Sequence, residues 1–173
     1  MKHFRICGIQ EIHDHLNWAT HVVSIWSPGG RGELPHFPQA EKRICRVDFD
    51  DIIEREGLAT LSGSMMIPPA AGDVSRVIQF TRKLPDDAKV LFHCQAGVSR
   101  SAACAFLALC QKYPEESPCR LIMKLWIKRR QAYPNSLIIE YGDALLKRDG
   151  ELIKVAHWFQ MNRMQRMIGG KAP

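Results

Sequence analysis

Three short apolar runs stand out in the first hundred residues: Phe4–Ile9, His21–Trp26 (HVVSIW) and Lys89–His93 (KVLFH). Each is rich in β-branched or aromatic residues and reads as a buried strand. A fourth run, Arg43–Phe49, carries charges at alternate positions and predicts a weaker strand. Between the first two, Gln10–Trp18 predicts a short helix. Loop chemistry fills Ser27–Gln39, with Pro28, Gly29, Gly30, Gly32, Pro35 and Pro38, and a second loop spans Gly63–Gly72. Asp73 then reads as an N-cap, with Val74, Val77, Ile78 and Leu84 following at helical spacing. Past His93 the pattern turns almost wholly helical. It predicts an apolar helix over Arg100–Lys112, a basic amphipathic one over Leu121–Gln131, one capped by Asn135 and running to Leu146, and a last one over Glu151–Met167. Strands alternating with helices predict an α/β fold, a central mostly parallel sheet flanked by helices. Such a sheet binds ligands beyond the carboxyl ends of its strands, and residues 94–101 fall at that edge.

The 173 residues suit one domain with its own core, residues from about 150 onward forming a basic helical extension. No apolar stretch nears the ~20 residues of a membrane span, and MKHFRICGIQ lacks a secretory pattern. The six cysteines form no CxxC pair and no zinc-like spacing, which predicts free thiols in the cytoplasm. Charge is uneven: residues 120–173 hold 11 Lys/Arg against 4 Asp/Glu, so this third favours anionic partners or forms solvated helix faces.

The chemistry gathers in HCQAGVSRS, residues 93–101. A buried strand delivers Cys94 to the rim of the sheet, and Gln95, Ala96, Gly97, Val98 and Ser99 turn the chain straight into a helix at Arg100. Successive N–H groups in such a turn cradle an anion, and the helix N-terminus adds its unpaired donors. Gly97 permits the tight turn. Arg100 offers a planar fork matched to two phosphate oxygens. The same field stabilises negative charge on the Cys94 sulfur, the form that attacks phosphorus. The Ser101 hydroxyl can donate to that sulfur. His93 reads as a residue that ties the loop through side-chain hydrogen bonds.

This segment resembles the HCxxGxxRS signature of the dual-specificity branch of the protein tyrosine phosphatase superfamily. THVVSIW is similar to that family's early core strand and QAYPNSLIIEYGDALL to its Pro-Asn segment and following helix, so the resemblance covers roughly residues 15–148. It implies the matching fold and a phosphatase in which an upstream aspartate protonates the leaving oxygen. The candidate segment is RVDFDDI. Asp48 lies within its strand, whereas Asp50 and Asp51 sit at the strand's carboxyl end. Members of the regenerating-liver type carry a similar Phe-Asp-Asp run with the second aspartate as acid, which implies Asp51, with Asp50 as the alternative. Asp51 lies 43 residues before Cys94, farther than in compact members, so an insertion around Arg55–Ile67 is expected and could form a lid. Asp73 is the fallback acid.

Other residues carry paired readings. Asn135 is a helix cap or a hydrogen-bond partner of the catalytic loop. Arg129 and Arg130 are solvated helix charges or contacts to a phosphorylated partner. Tyr133 and Trp26 line the pocket or pack in the core, and Cys104 and Cys110 are core thiols or redox partners of Cys94. The tail VAHWFQMNRMQRMIGGK is a docked helix or a membrane-surface or partner-binding one. The expected function is a cysteine-dependent phosphomonoester hydrolase acting on phosphotyrosine or phosphoserine/threonine proteins through a phosphocysteine intermediate. No metal or cofactor is called for, because Arg100 and backbone dipoles supply the charge stabilisation, and no nucleic-acid partner is expected. The alternatives are a non-catalytic phosphoprotein-binding module, a phosphatase acting on a phosphoinositide, and sulfur transfer of the rhodanese kind.

Overall fold

In the computed structural model, residues 1, 3–28, 36–37, 43–60 and 64–168 are described, with side chains through Met164. Strands β1 (His3–Cys7), β2 (His21–Trp26), β3 (Ile44–Asp48) and β6 (Lys89–His93) form one sheet in the order β1-β6-β2-β3. All three pairings are parallel. A parallel sheet covered on both faces needs strands that are apolar throughout. Accordingly β6, flanked by both β1 and β2, buries Val90, Leu91, Phe92 and His93 completely. At the edge, β3 buries only Cys45 and Val47 and turns Asp48 outward, which accounts for its alternating charges.

The first strand stops at Cys7 rather than Ile9, because the Gly8 N–H donates to the Glu11 carboxylate at 2.7 Å and a 3-10 helix takes over at Ile9–His15. The region expected as an insertion forms an antiparallel ribbon, β4 (Leu58–Ala59) pairing with β5 (Met65–Met66). Residues 61–63 fall outside the described residues, as does most of the expected loop at 27–39, although Phe37 within it is buried. Helix α1 (Ala71–Arg82) corrects the cap expected at Asp73. Ala70 holds the cap position, and Asp73, three residues on, reaches back to accept from the Ala70 N–H at 3.1 Å. The carboxylate still serves an orphan donor and favours the helix dipole, but from inside the first turn.

Helix α2 (Arg100–Lys112) buries every residue from Arg100 to Cys110. It packs on the sheet and against α1, α3 (Pro118–Lys128) and α4 (Ser136–Leu145), so it has no wet face to make polar. The amphipathic helix α3 begins and ends three residues earlier than its apolar spacing suggested: Pro118 supplies the fixed φ of a first helical turn, and Arg129 is extended. Asp143, buried in α4, accepts from the N–H groups of Gly150 and Leu152 at 2.7 and 2.8 Å and so starts α5 (Glu151–Ile168). That helix buries Leu152, Val155, Ala156 and Phe159 against α3 and α4 and is therefore docked. Among the described residues no helix is long and apolar enough to cross a membrane.

Candidate active site

The parallel sheet ends β6 at His93 and α2 begins at Arg100, which leaves six residues to make the turn. What fixes this turn is the fate of its carbonyls. Gln95 O accepts from Ile9 N at 3.1 Å, Val98 O from Tyr133 N at 2.8 Å, and Ser99 O from Ala103 N at 2.9 Å. Gly97 O and Ala96 O accept from Nε and a terminal nitrogen of Arg129, at 3.0 and 3.2 Å. Five successive carbonyls are thus held from outside the turn. Because each peptide unit is planar and trans, its N–H points opposite its C=O, so the N–H groups that follow these carbonyls face the concave side.

Gly97 makes the curvature possible. Its φ is +67°, and a Cβ there would collide with the Cys7 carbonyl carbon and the Gly8 nitrogen and sit 2.6 Å from the Cys7 carbonyl oxygen. Loop and β1 backbone touch at this point, and only glycine fits.

Cys94 lies at the base of the turn, buried, with Sγ 3.2 Å from Ser101 Oγ. Arg100 is buried with its guanidinium held on one side, where NH1 donates to Phe49 O at 2.6 Å and Ser27 Oγ at 2.8 Å. Its Nε has no hydrogen-bond partner among the described residues and lies 3.9 Å from Asp51 Oδ2. A buried donor without an acceptor calls for one.

The two candidate aspartates face different ways. Asp50 clamps the ribbon: its N–H donates to Ile67 O at 2.6 Å and its carboxylate accepts from Ile67 N at 2.8 Å. Asp51 faces the turn, its Oδ1 accepting from Ser99 Oγ at 2.7 Å and Asn135 Nδ2 at 2.9 Å. Asn135 meets both of its paired readings, the second through its backbone N–H, which donates to Ser99 O of the turn at 3.4 Å. Its Oδ1 caps α4 by accepting from Ile138 N, while its Nδ2 donates to Asp51 and to Ile52 O. A cavity of about 320 Å³ opens beside Asp51 and Ser99, walled by Tyr133, Ile53 and Gln160. Tyr133 therefore lines a pocket, whereas Trp26, half-buried, pairs with Asp48 at the carboxyl end of β2 and accepts from Phe49 N at 2.9 Å through its carbonyl.

Two expectations need correction. His93 does not tie the loop by hydrogen bonds: neither ring nitrogen has a partner among the described residues, and the ring packs at 5.6 Å from Phe37. Burial, reinforced by Arg46 and Arg100, pushes its pKa down to about 4, so the imidazole is neutral at pH 7. Arg129 is not a solvated charge. It is half-buried, grips both Glu11 carboxylate oxygens at 2.7 Å and holds the turn from behind. The guanidinium bonds hold the Glu11 carboxyl below the usual range. Arg130, by contrast, is exposed and stacks on Trp126 at 4.3 Å.

The missed pair spans 118 residues, and no local pattern links its members. Also missed was the service of α5: Gln160 donates to Pro134 O and Arg163 to Gln131 O, both at 2.7 Å. The tail helix thus braces the segment that supplies the Tyr133 N–H and Asn135 to the site. Burial lifts the other buried thiols, Cys7 and Cys110 to about 12, Cys45 to about 11, and Cys104 as well, so these four stay protonated. Among the described residues no cluster of three His, Cys, Asp or Glu side chains is arranged to hold a metal.

No family model matches the chain, and no curated protein matches its sequence. Solved structures do match. The chain is similar to the crystal structure of DUSP15 at TM-score 0.60 and 16% identity, covering 93% of this chain and 92% of that one. It is similar to human DUSP28 at TM-score 0.57 and 15% identity, over 84% and 94%. The crystal structure of PTPMT1 in complex with PI(5)P matches at TM-score 0.54 and 16% identity, over 84% and 91%. At these identities the likeness is one of fold: the chain has the protein tyrosine phosphatase fold in its dual-specificity-like form, a mostly parallel sheet between helices.

Proposed function

We propose that the protein is a cysteine-dependent phosphomonoester hydrolase of the dual-specificity type. The observation that carries this reading is the turn that follows Cys94, whose carbonyls are engaged from outside it. Five outward carbonyls leave the turn's N–H groups for its concave side, and the buried Arg100 Nε has no hydrogen-bond acceptor among the described residues. A tetrahedral dianion meets that donor set, and the matching of fold to phosphatases supports it.

The arrangement supports a two-step reaction. The donors hold the non-bridging oxygens, and the Cys94 sulfur attacks phosphorus in line with the ester oxygen. As the S–P bond forms the P–O bond breaks, and Asp51 gives its proton to the departing oxygen. Asp51, now a carboxylate, takes a proton from water, which attacks phosphorus. The S–P bond breaks, inorganic phosphate forms, and Ser101 Oγ donates to the thiolate that leaves. The bonds from Ser99 and Asn135 hold Asp51 beside the turn, which supports its role as the acid. His93, neutral and with neither ring nitrogen hydrogen-bonded among the described residues, fills space beside Phe37.

The substrates proposed are phosphotyrosine and phosphoserine/threonine proteins. The turn carries no lysine to recognise additional phosphates on a lipid headgroup, while Tyr133 and Ile53 give the adjoining cavity walls suited to a side chain. A phosphoinositide is the second reading, favoured by the PI(5)P in the PTPMT1 structure.

Substitution at the two aspartates tests the assignment, with chelator present throughout. Asp51→Asn should lower kcat on a phosphotyrosine peptide by roughly 10²–10⁴-fold. The loss should be smaller on p-nitrophenyl phosphate, whose phenolate departs with less help. Asp50→Asn should stay close to wild type on both. The reverse pattern would transfer the acid role to Asp50.

A further inference from the structure

Behind the phosphate-binding turn, on the side away from Cys94, the edge strand β1 borders a groove of about 470 Å³ lined by residues 3–6 of that strand. Among the described residues β6 is the sole strand partner of β1. In a parallel ladder alternate residues direct their N–H and C=O groups to opposite sides, so β1 presents part of its backbone to the groove. The groove's charge is one-sided. Arg129 and Glu11, which also line it, neutralise each other. His15 gains no charge at neutral pH, because burial and then Arg5 lower its pKa. Arg5 and Lys128 are left, both exposed. The Arg5 guanidinium lies 4.3 Å from the centre of the Trp18 ring with one nitrogen 3.1 Å from His15 Nδ1, so it is held in place along the rim.

We infer that this groove docks an extended acidic peptide segment of a partner protein, which adds to the sheet as a strand beside β1. Main-chain hydrogen bonds to the outer edge of β1 supply the pairing, and carboxylates at alternate positions reach Arg5 and Lys128. The five residues of β1 span about 16 Å at ~3.3 Å each, room for a strand of similar length. The site is separate from the catalytic cavity: the Arg129–Glu11 pair stands between groove and turn.

The test uses the full chain and a fluorescein-labelled peptide alternating glutamate with threonine, about six residues long to match the strand. Anisotropy titration should show saturable binding that weakens roughly tenfold in the Arg5→Gln/Lys128→Gln double variant. Hydrolysis of p-nitrophenyl phosphate by that variant should remain at the wild-type level, which shows that it folds. A second arm leaves the protein untouched: the same peptide N-methylated on alternate backbone nitrogens, in both phases, should lose binding in at least one phase. The inference is overturned if both N-methylated peptides bind like the parent, since no strand is then added. It is overturned equally if the double variant binds as tightly as wild type, or if a single-stranded oligonucleotide displaces the peptide with higher affinity.

Discussion

Cys94→Ser is expected to reduce hydrolysis of p-nitrophenyl phosphate to the buffer background while leaving the fold and the binding of phosphate esters intact. The exchange replaces a polarisable sulfur by a hydroxyl that must lose its proton before it attacks. Among the described residues no base is hydrogen-bonded to it to take that proton. The adjacent His93 is buried with both ring nitrogens lacking hydrogen-bond partners among the described residues, and the group within reach of Sγ is the Ser101 hydroxyl, 3.2 Å away. The proposed anion cradle does not depend on the sulfur, because the carbonyls of the turn are held by Ile9, Arg129, Tyr133 and Ala103. Inorganic phosphate should therefore still raise the melting temperature of the variant. Retained turnover would require a different nucleophile.

Gly97→Ala should produce the second large loss without touching any reacting group. The added methyl cannot be absorbed by a flexible side chain, since its neighbours are the Cys7 and Gly8 backbone, and the positive φ is strained for alanine in any case. Either the turn opens or the end of β1 retreats. Overpacking of this kind costs about 1–3 kcal/mol of stability. The larger effect is on activity, because donors aimed within tenths of an ångström lose their aim: a displacement near 1 Å costs kcat/KM roughly 10²-fold. Circular dichroism unchanged with kcat/KM reduced and phosphate inhibition weakened is the expected pattern. Wild-type kinetics from this variant would show that the close approach to Cys7 does not govern the turn.

How much of this was legible in the sequence depends on distance along the chain. Strand β6, the turn and α2 are contiguous, so KVLFHCQAGVSRS displays strand, cradle and helix in one reading frame, and the structure has β6 and α2 at those bounds. The parallel sheet followed from the alternation of elements. Asn135 could be read as a cap from its place before SLIIEY; that its amide also meets Asp51, 84 residues away, could not. The same holds for Arg129, whose charge suggested a solvated helix end until the fold brought Glu11 to it. His93 shows the opposite error. A histidine beside a nucleophile suggests hydrogen bonding, but the residue belongs to a strand buried on both faces, and burial decided its state. Asp73 satisfied a helix terminus as its residue type suggested, from a position that spacing alone did not resolve, since several residues before Val74 suit the start of a helix.

The proposed chemistry passes through a phosphate held on the Cys94 sulfur. Acid quenching of the wild-type protein during turnover of p-nitrophenyl phosphate, followed by mass spectrometry of its peptides, should find phosphate on the peptide that carries Cys94 and should find none there in Cys94→Ser. Phosphate trapped on another residue, or steady hydrolysis with Cys94 unmodified at every quench time, would contradict the account.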